Sequence, residues 1–363
     1  MLTPFIKPGD LLILVNNHSG QKTFMNQKLF TALKYLLLLA ITSGLLWFAF
    51  RGINISKLFS EMLKANIFWV LLSMLISFIA FIVRAYRWNL LIEPLGYTPS
   101  LKKTTYSLMV GYFANLAFPR LGEVSRCAAL SKAESIPFNN LLGTVIVERL
   151  IDVLSLLICI LLVAALEFKR LGNFFNENIF SPLIKKIDQL SGSPILLTII
   201  IIVLIVVISV LIYFSRKNKA KGKETVFSKL AKGFIDGLRS IAKLKQPGLF
   251  IFHSIFIWVL YYLGVFVALF TFPFTSGLGP GAALFLLVAG GLGMSAPVQG
   301  GIGAYHLLVS QGLVLYGLSR EDGLTFATLL HSLQLVLVVI MGTASLLMLF
   351  SSGKEKVNGK KTA

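Results

Sequence analysis

The chain has 363 residues, 56% of them hydrophobic and only 13% charged, and its mean hydropathy is +0.81. Apolar runs at that density exclude a soluble globular domain and predict an all-α polytopic membrane protein; the ten-residue alternation of an outer-membrane barrel is missing. A net charge of +19 would suggest nucleic acid in a soluble protein, but here the basic residues gather in loops and tails, which points to topology and to anionic inner-leaflet lipid.

Residues 1–28 form an N-terminal tail without the basic, apolar and small-residue order of a signal peptide. Met25 stands just before the first apolar run, so the true start is open between Met1 and Met25. Spans are expected over Leu29–Phe50 and Ile67–Ile92, each long enough for about 30 Å of hydrocarbon. The second ends in RAYRW, with Arg84 and Arg87 three apart and Trp88 suited to the interfacial belt. These arginines either snorkel at the membrane edge or join a buried charged cluster. Thr104–Phe118 is apolar but short and stops at Pro119, and a helix from Gly122 to Lys132 follows. A pair that short predicts a re-entrant hairpin, tolerated only when buried in protein or lining a cavity. Asn139 and Asn140 are the expected cap of the next span, Leu141–Leu166.

Glu167–Ser193 reads as a polar loop and Pro194–Phe214 as an ordinary lipid-facing span. Arg216–Lys245 is strongly basic, which places the loop 215–247 in the cytoplasm; Phe227–Leu244 within it has the pattern of an amphipathic helix on the inner leaflet. Leu249–Phe272 is a further span. Gly281–Ser295 is short and leads to Pro297-Val-Gln-Gly-Gly-Ile-Gly303, so a second broken-helix hairpin returns through Ala304–Tyr316. Leu324–Phe350 is the last span and 351–363 a basic tail. The expected count is six full transmembrane helices plus two re-entrant or broken-helix hairpins within 29–350, with both termini on the cytoplasmic side.

Charge inside apolar segments is the chemical signal. Arg120, Glu123 and Arg126 recur every three residues, and Glu148, Arg149 and Asp152 sit inside the apolar run 141–166. Each charge in hydrocarbon costs roughly 2.5–3.5 kcal/mol on insertion scales, so such residues pair, line a wet cavity or lie near an interface. They are candidates for headgroup binding, with Arg120, Arg126 and Arg149 facing a phosphate; the alternative is a salt-bridge network that locks helices together. Pro119, Gly122, Pro297, Gly300, Gly301 and Gly303 are the candidate hinge or broken-helix residues, and Gln299, Tyr305 and His306 candidate polar lining. Cys127 and Cys159 read as packing residues. His18, His253, His306 and His331 are scattered, so no metal or other cofactor is expected. There is no HExxH, phosphate-binding GKS/T loop or GxSxG, and no soluble stretch exceeds about thirty residues. An enzyme is therefore the less favoured class, with carboxylates as acid/base groups if it were one.

RAYRW (84–88), FPRLGEVSR (118–126), VERLID (147–152) and PVQGGIGAYH (297–306) in that order resemble the lysylphosphatidylglycerol synthase transmembrane region, also called flippase-like domain proteins. The resemblance covers about residues 29–350. It implies movement of an aminoacylated or other lipid across the cytoplasmic membrane, with a phospholipid or lipid-linked substrate as partner. It also allows a role beside a separately encoded synthase or glycosyltransferase. Many family members carry a carboxylate near the position of His306 and a proline where Gln299 stands, so this chain departs from the pattern there.

Overall fold

The computed structural model describes residues 39–175 and 244–358, together with isolated positions 33, 36, 37 and 181. The expected span 194–214, the amphipathic stretch 227–244 up to residue 243, and the N-terminal tail lie outside the described residues. All regular structure among the described residues is helical. The helices of eight residues or more are α1 (Leu39–Phe50), α2 (Ile55–Met62), α3 (Ile67–Ile92), α4 (Leu101–Ala117), α5 (Leu121–Glu134), α6 (Phe138–Leu166), α7 (Phe168–Phe175), α8 (Pro247–Ala268), α9 (Pro280–Ser295), α10 (Ala304–Leu315) and α11 (Arg320–Asn358).

Four of them are long and apolar enough to cross a membrane: Ile67–Leu95, Phe138–Leu166, Pro247–Thr271 and Arg320–Leu349. The bent pair α1–α2 makes a fifth if taken as one span, but the two helices meet at 82°. Of the first expected span, Leu29–Phe50, the helix is described continuously from Leu39, and it ends at Phe50 as expected, before the turn through Gly52 (φ +78°). Asn54 then caps α2 by accepting from the Lys57 N–H. The expected cap at Asn139 and Asn140 is not used: α6 starts at Phe138, directly after Pro137, whose fixed φ suits a helix start. The expected loop after residue 166 begins instead with α7, whose Arg170 lies 4.3 Å from the Tyr316 ring centre.

Contacts at the helix ends order the bundle. At one end, Lys245 pairs with Glu93 at 3.4 Å, and Lys103 at the start of α4 pairs with Glu134 at the end of α5 at 3.4 Å. This end carries the close of the basic segment and is called the basic end. At the far end, the Asn66 N–H donates to the Thr271 carbonyl, Lys57 pairs with Glu321, and Arg320 donates to the Phe48 carbonyl. Helices α4 and α5 form an antiparallel hairpin whose base is at the basic end. At 17 and 14 residues they reach only about 26 and 21 Å, short of a full crossing. The hairpin closes on glycine: a methyl at Gly111 would lie 2.8 Å from the Gly122 carbonyl oxygen, and the Gly122 N–H donates to Asn115 Oδ1 at 2.6 Å. Close backbone approach of this kind is how helices pack where lipid removes the hydrophobic drive.

Helices α9 and α10 make the second hairpin, based at the far end, where Phe285 and Tyr316 rings meet at 5.8 Å. Its tip, Ala296–Gly303, holds three positive-φ glycines: Gly300 (+55°), Gly301 (+76°) and Gly303 (+85°). Gly293 lets α10 approach so closely that a methyl there would sit 2.6 Å from Tyr305 Cα. The two tips meet, since a Cβ on Gly300 would touch Leu116 Cδ2 at 3.2 Å. Span, hairpin and span therefore occur twice, α3–(α4–α5)–α6 and α8–(α9–α10)–α11, with opposite direction. This is an inverted-topology repeat. Helix α11 closes the bundle against the first hairpin, with Val338 packed among Phe81, Ala85, Leu108 and Met109. Leucine, isoleucine and valine on the outer faces of α3 and α6, such as Leu71, Leu75, Ile146, Val153 and Leu161, are exposed and face lipid.

Candidate functional site

The first hairpin is tied to its two flanking spans by charge. From α3, Arg84 Nη2 donates to Glu148 Oε1 at 2.6 Å and to Asp152 Oδ2 at 2.8 Å, while its Nη1 donates to the Tyr261 hydroxyl at 2.9 Å. Arg87 Nη2 donates to Asp152 Oδ1 at 2.7 Å and lies 3.3 Å from Glu148. From α5, Arg126 Nη1 lies 3.0 Å from Glu148 Oε2, and Arg149 Nη2 lies 3.1 Å from Glu123 Oε1. The residues sit where helical spacing puts them: Arg84 with Arg87 on one face of α3, and Glu148 with Asp152 on one face of α6. Arg87, Arg126 and Glu148 are 0%, 2% and 0% exposed. Arg149 and Glu123 are the open edge, with side chains 41% and 26% exposed.

Four guanidinium groups thus meet three carboxylates, leaving one excess positive charge among these residues. Arg126 is the least satisfied of them. Its approach to Glu148 is close enough for ion pairing but out of line for a hydrogen bond, and none of its three side-chain nitrogens has a hydrogen-bond acceptor among the described residues. Its guanidinium lies 4.8 Å from the Trp88 ring centre, a cation–π contact that holds it in place. Trp88 is held in turn: its Nε1–H donates to Thr144 Oγ1 at 2.8 Å. Tyr261 and Thr144 were not among the residues singled out in the sequence, and Trp88 was read there only as an interfacial residue. Each is an ordinary residue in an apolar helix, and only its partner across the bundle gives it a role.

Arg120 stands apart from the charged set. The expected three-residue spacing with Glu123 and Arg126 fails because α5 begins at Leu121 and Arg120 is its left-handed N-cap, at φ +63°. Its side chain is exposed at the hairpin tip and makes no ion pair among the described residues. Pro119 forms the turn before it, and Gly122 serves close packing against Gly111 and Asn115.

The second hairpin gathers the remaining candidates. Gln299 Oε1 accepts from Thr42 Oγ1 of α1 at 2.8 Å. Pro297 precedes the turn, and a Cβ on Gly303 would lie 2.8 Å from Leu45 Cβ. Tyr305 and His306 are buried, and both pack on His331 of α11, with ring centres 4.9 and 5.0 Å apart. His331 was read from the sequence as one of four scattered histidines; nothing in its spacing announced the pairing.

The charge network brings together Arg84, Arg87, Glu123, Arg126, Glu148, Arg149 and Asp152, with the guanidinium donors of buried Arg126 left over. It sits at membrane depth: Arg149 lies eleven residues after Phe138, about 17 Å along α6 from the basic end.

Among known proteins, the chain is 30% identical over 103 residues to a UPF0104 membrane protein of Methanocaldococcus jannaschii, covering 28% of this chain and 31% of that one. It is 28% identical over 136 residues to a UPF0104 membrane protein of Pyrococcus horikoshii, covering 36% and 39%. These matches span about a third of the length of each curated relative. No solved structure matches. The family model for the lysylphosphatidylglycerol synthase TM region matches residues 35–342, which include both hairpins and the whole charge network. This multi-pass membrane protein belongs to the lysylphosphatidylglycerol synthase TM region family.

Proposed function

We propose that this protein moves a lipid with a charged, phosphate-bearing headgroup across the cytoplasmic membrane. The observation that carries the reading is the buried network of four arginines and three carboxylates, with Arg126 lacking hydrogen-bond acceptors. A network built only as a lock would neutralise itself; this one keeps a positive excess and free guanidinium donors, which match phosphate oxygens. Arg120, exposed at the adjacent tip, is the first contact for a headgroup arriving from the membrane. The N-terminus of α5 also points into the membrane there, adding the positive end of a helix dipole.

The opposed hairpins supply the path. Each enters from a different side and their tips touch, so withdrawal of either would open the charged core to one surface at a time. Acyl chains would remain in lipid along the exposed faces of α3 and α6. The basic segment before α8 would face the cytoplasm and hold anionic inner-leaflet lipid.

The test is reconstitution of the purified protein into vesicles with fluorescent lipids of three headgroup types: a cationic aminoacyl lipid, an anionic phospholipid and a polyprenyl-linked sugar. At least one should reach the opposite leaflet faster than in empty vesicles, and Arg126→Gln should slow it at least tenfold. No movement of any of the three would defeat the reading and leave a partner of a separately encoded synthase or glycosyltransferase as the alternative.

A further inference from the structure

The two halves of the inverted repeat place different chemistry on one seat. Glu123 is the third residue of α5, and its partner Arg149 lies eleven residues after Phe138. His306 is the third residue of α10, and its neighbour His331 lies eleven residues after Arg320. The first seat holds a fixed ion pair. The second holds two imidazoles, His306 5% and His331 1% exposed, at membrane depth between the second hairpin and α11.

His306 Nδ1 accepts from the Gly303 N–H at 3.3 Å, which puts that ring's proton on Nε2. His331 has no hydrogen-bond partner at either ring nitrogen among the described residues. The surroundings are almost uncharged. From α1 the pair meets Phe50, at 5.7 Å from the His306 ring, and from α10 it meets Tyr305, the titratable neighbour, which packs on Gly290 and Gly293 of α9. The charges on the neighbouring α2 and at the start of α11 are taken up at the far rim: Lys57 pairs with Glu321 and Glu61 with Lys64, Arg320 donates to the Phe48 carbonyl, and Asp322 accepts from the Ser319 hydroxyl. A polar group kept buried at this depth without a partner marks a functional position.

From this geometry we infer that His306 and His331 form a proton-binding site that sets the position of the second hairpin. Two neutral rings suit the packing described here. One added proton makes an imidazolium beside the positive N-terminal end of α10, with no carboxylate among the described residues pairing with it. That charge is relieved when the tip Ala296–Gly303 separates from α1 and α11 and water reaches the rings. Protonation therefore favours the separated hairpin, and separation in turn raises the affinity for the proton. The matching seat of the first half holds the Glu123–Arg149 ion pair in place of the two rings. What the motion drives rests on the proposed lipid movement; the site itself does not.

The experiment uses full-length protein in phosphatidylglycerol–phosphatidylethanolamine vesicles, with Cys127 and Cys159 replaced by alanine and one cysteine placed at Ser295, exposed near the tip. Its labelling by a water-soluble thiosulfonate is compared at pH 5.5 and 7.5, normalised to a cysteine at Lys102. Labelling at Ser295 should rise at least threefold at pH 5.5, and His306→Gln or His331→Gln should abolish the rise. His331→Phe, which keeps a ring without ionisation, serves if the glutamine variant fails to fold. A flat wild-type response, or one unchanged in the variants, overturns the proton site. Fluorescent phosphatidylglycerol in the same vesicles, under an imposed pH gradient, separates this from the transport reading. Movement indifferent to both gradient and variants removes the proton site and keeps transport; a proton-dependent hairpin with no movement of any lipid keeps the site and removes transport.

Discussion

Glu148 has no exposed surface, yet three arginines from two helices approach within 3.3 Å of its two oxygens. Glu148→Gln leaves three guanidinium groups sharing one fewer charge in a medium that cannot solvate them, so it should cost about 3–5 kcal/mol. The companion change Arg126→Met should cost less in the Glu148→Gln background than alone, by more than ~1 kcal/mol in a double-mutant cycle of detergent stability. Strict additivity would mean that the two do not interact. Arg120→Ala is the contrasting case: with no ion pair to lose, it should leave stability within about 0.5 kcal/mol of wild type while lowering the rate of lipid movement. A large loss of stability there would show that the tip arginine is structural. The sequence made the charges visible because each is anomalous in an apolar run. It could not show which arginine stands outside the set, since that depends on where α5 starts and on the positive φ of one residue.

Both hairpins were legible for a simple reason: their apolar segments are too short to cross and end at Pro119 or Pro297. What was not legible was the division of labour among glycines. Gly300 has φ +55° and ψ 15°, inside the left-handed region that asparagine also tolerates, whereas Gly303 has φ +85° and ψ −55°, outside it. Gly300→Asn should therefore melt within a few degrees of wild type. Gly303→Ala should melt clearly lower, by roughly 1–2 kcal/mol for the backbone alone, with the contact to Leu45 added. Equal melting of the two variants in the same detergent would count against the distinction. If the glycine tip moves during transport, Gly303→Ala should lose more rate than its stability accounts for; loss in step with stability would mean the glycines only pack. Sequence spacing alone does not separate these two readings, because dihedral angles are not written in it.

The inverted repeat belongs to the molecule as a whole and left almost no trace in the side chains. Its halves share path, turn positions and the third-residue seat, but one seat holds Glu123 and the other His306, so comparison by residue type misses it. The repeat makes a plain topological prediction. Lys64 and Lys102 are exposed at opposite ends of the bundle. Single cysteines at these positions should react with an impermeant thiol reagent from opposite sides of the membrane, and from the outside of intact cells Lys64→Cys alone should label. Labelling of both from one side would overturn the arrangement of the spans. The count of six full spans stands only in part: four helices long and apolar enough to cross lie among the described residues, and the expected span 194–214 lies outside them.

The charge network also constrains how the chain is made. Arg84 and Arg87 emerge from the ribosome some sixty residues before Glu148 and Asp152, the carboxylates that neutralise them. Until α6 follows, α3 carries two unpaired arginines and α5 a third, so none of these segments is comfortable in lipid alone. The three must settle together, with the carboxylates of α6 completing the step. A nascent chain halted after Ser135 should leave α3 loosely held and extractable by alkaline carbonate, and one halted well beyond Leu166 should resist. The residues proposed to bind a headgroup in the finished protein thus also fix the order in which the membrane accepts it.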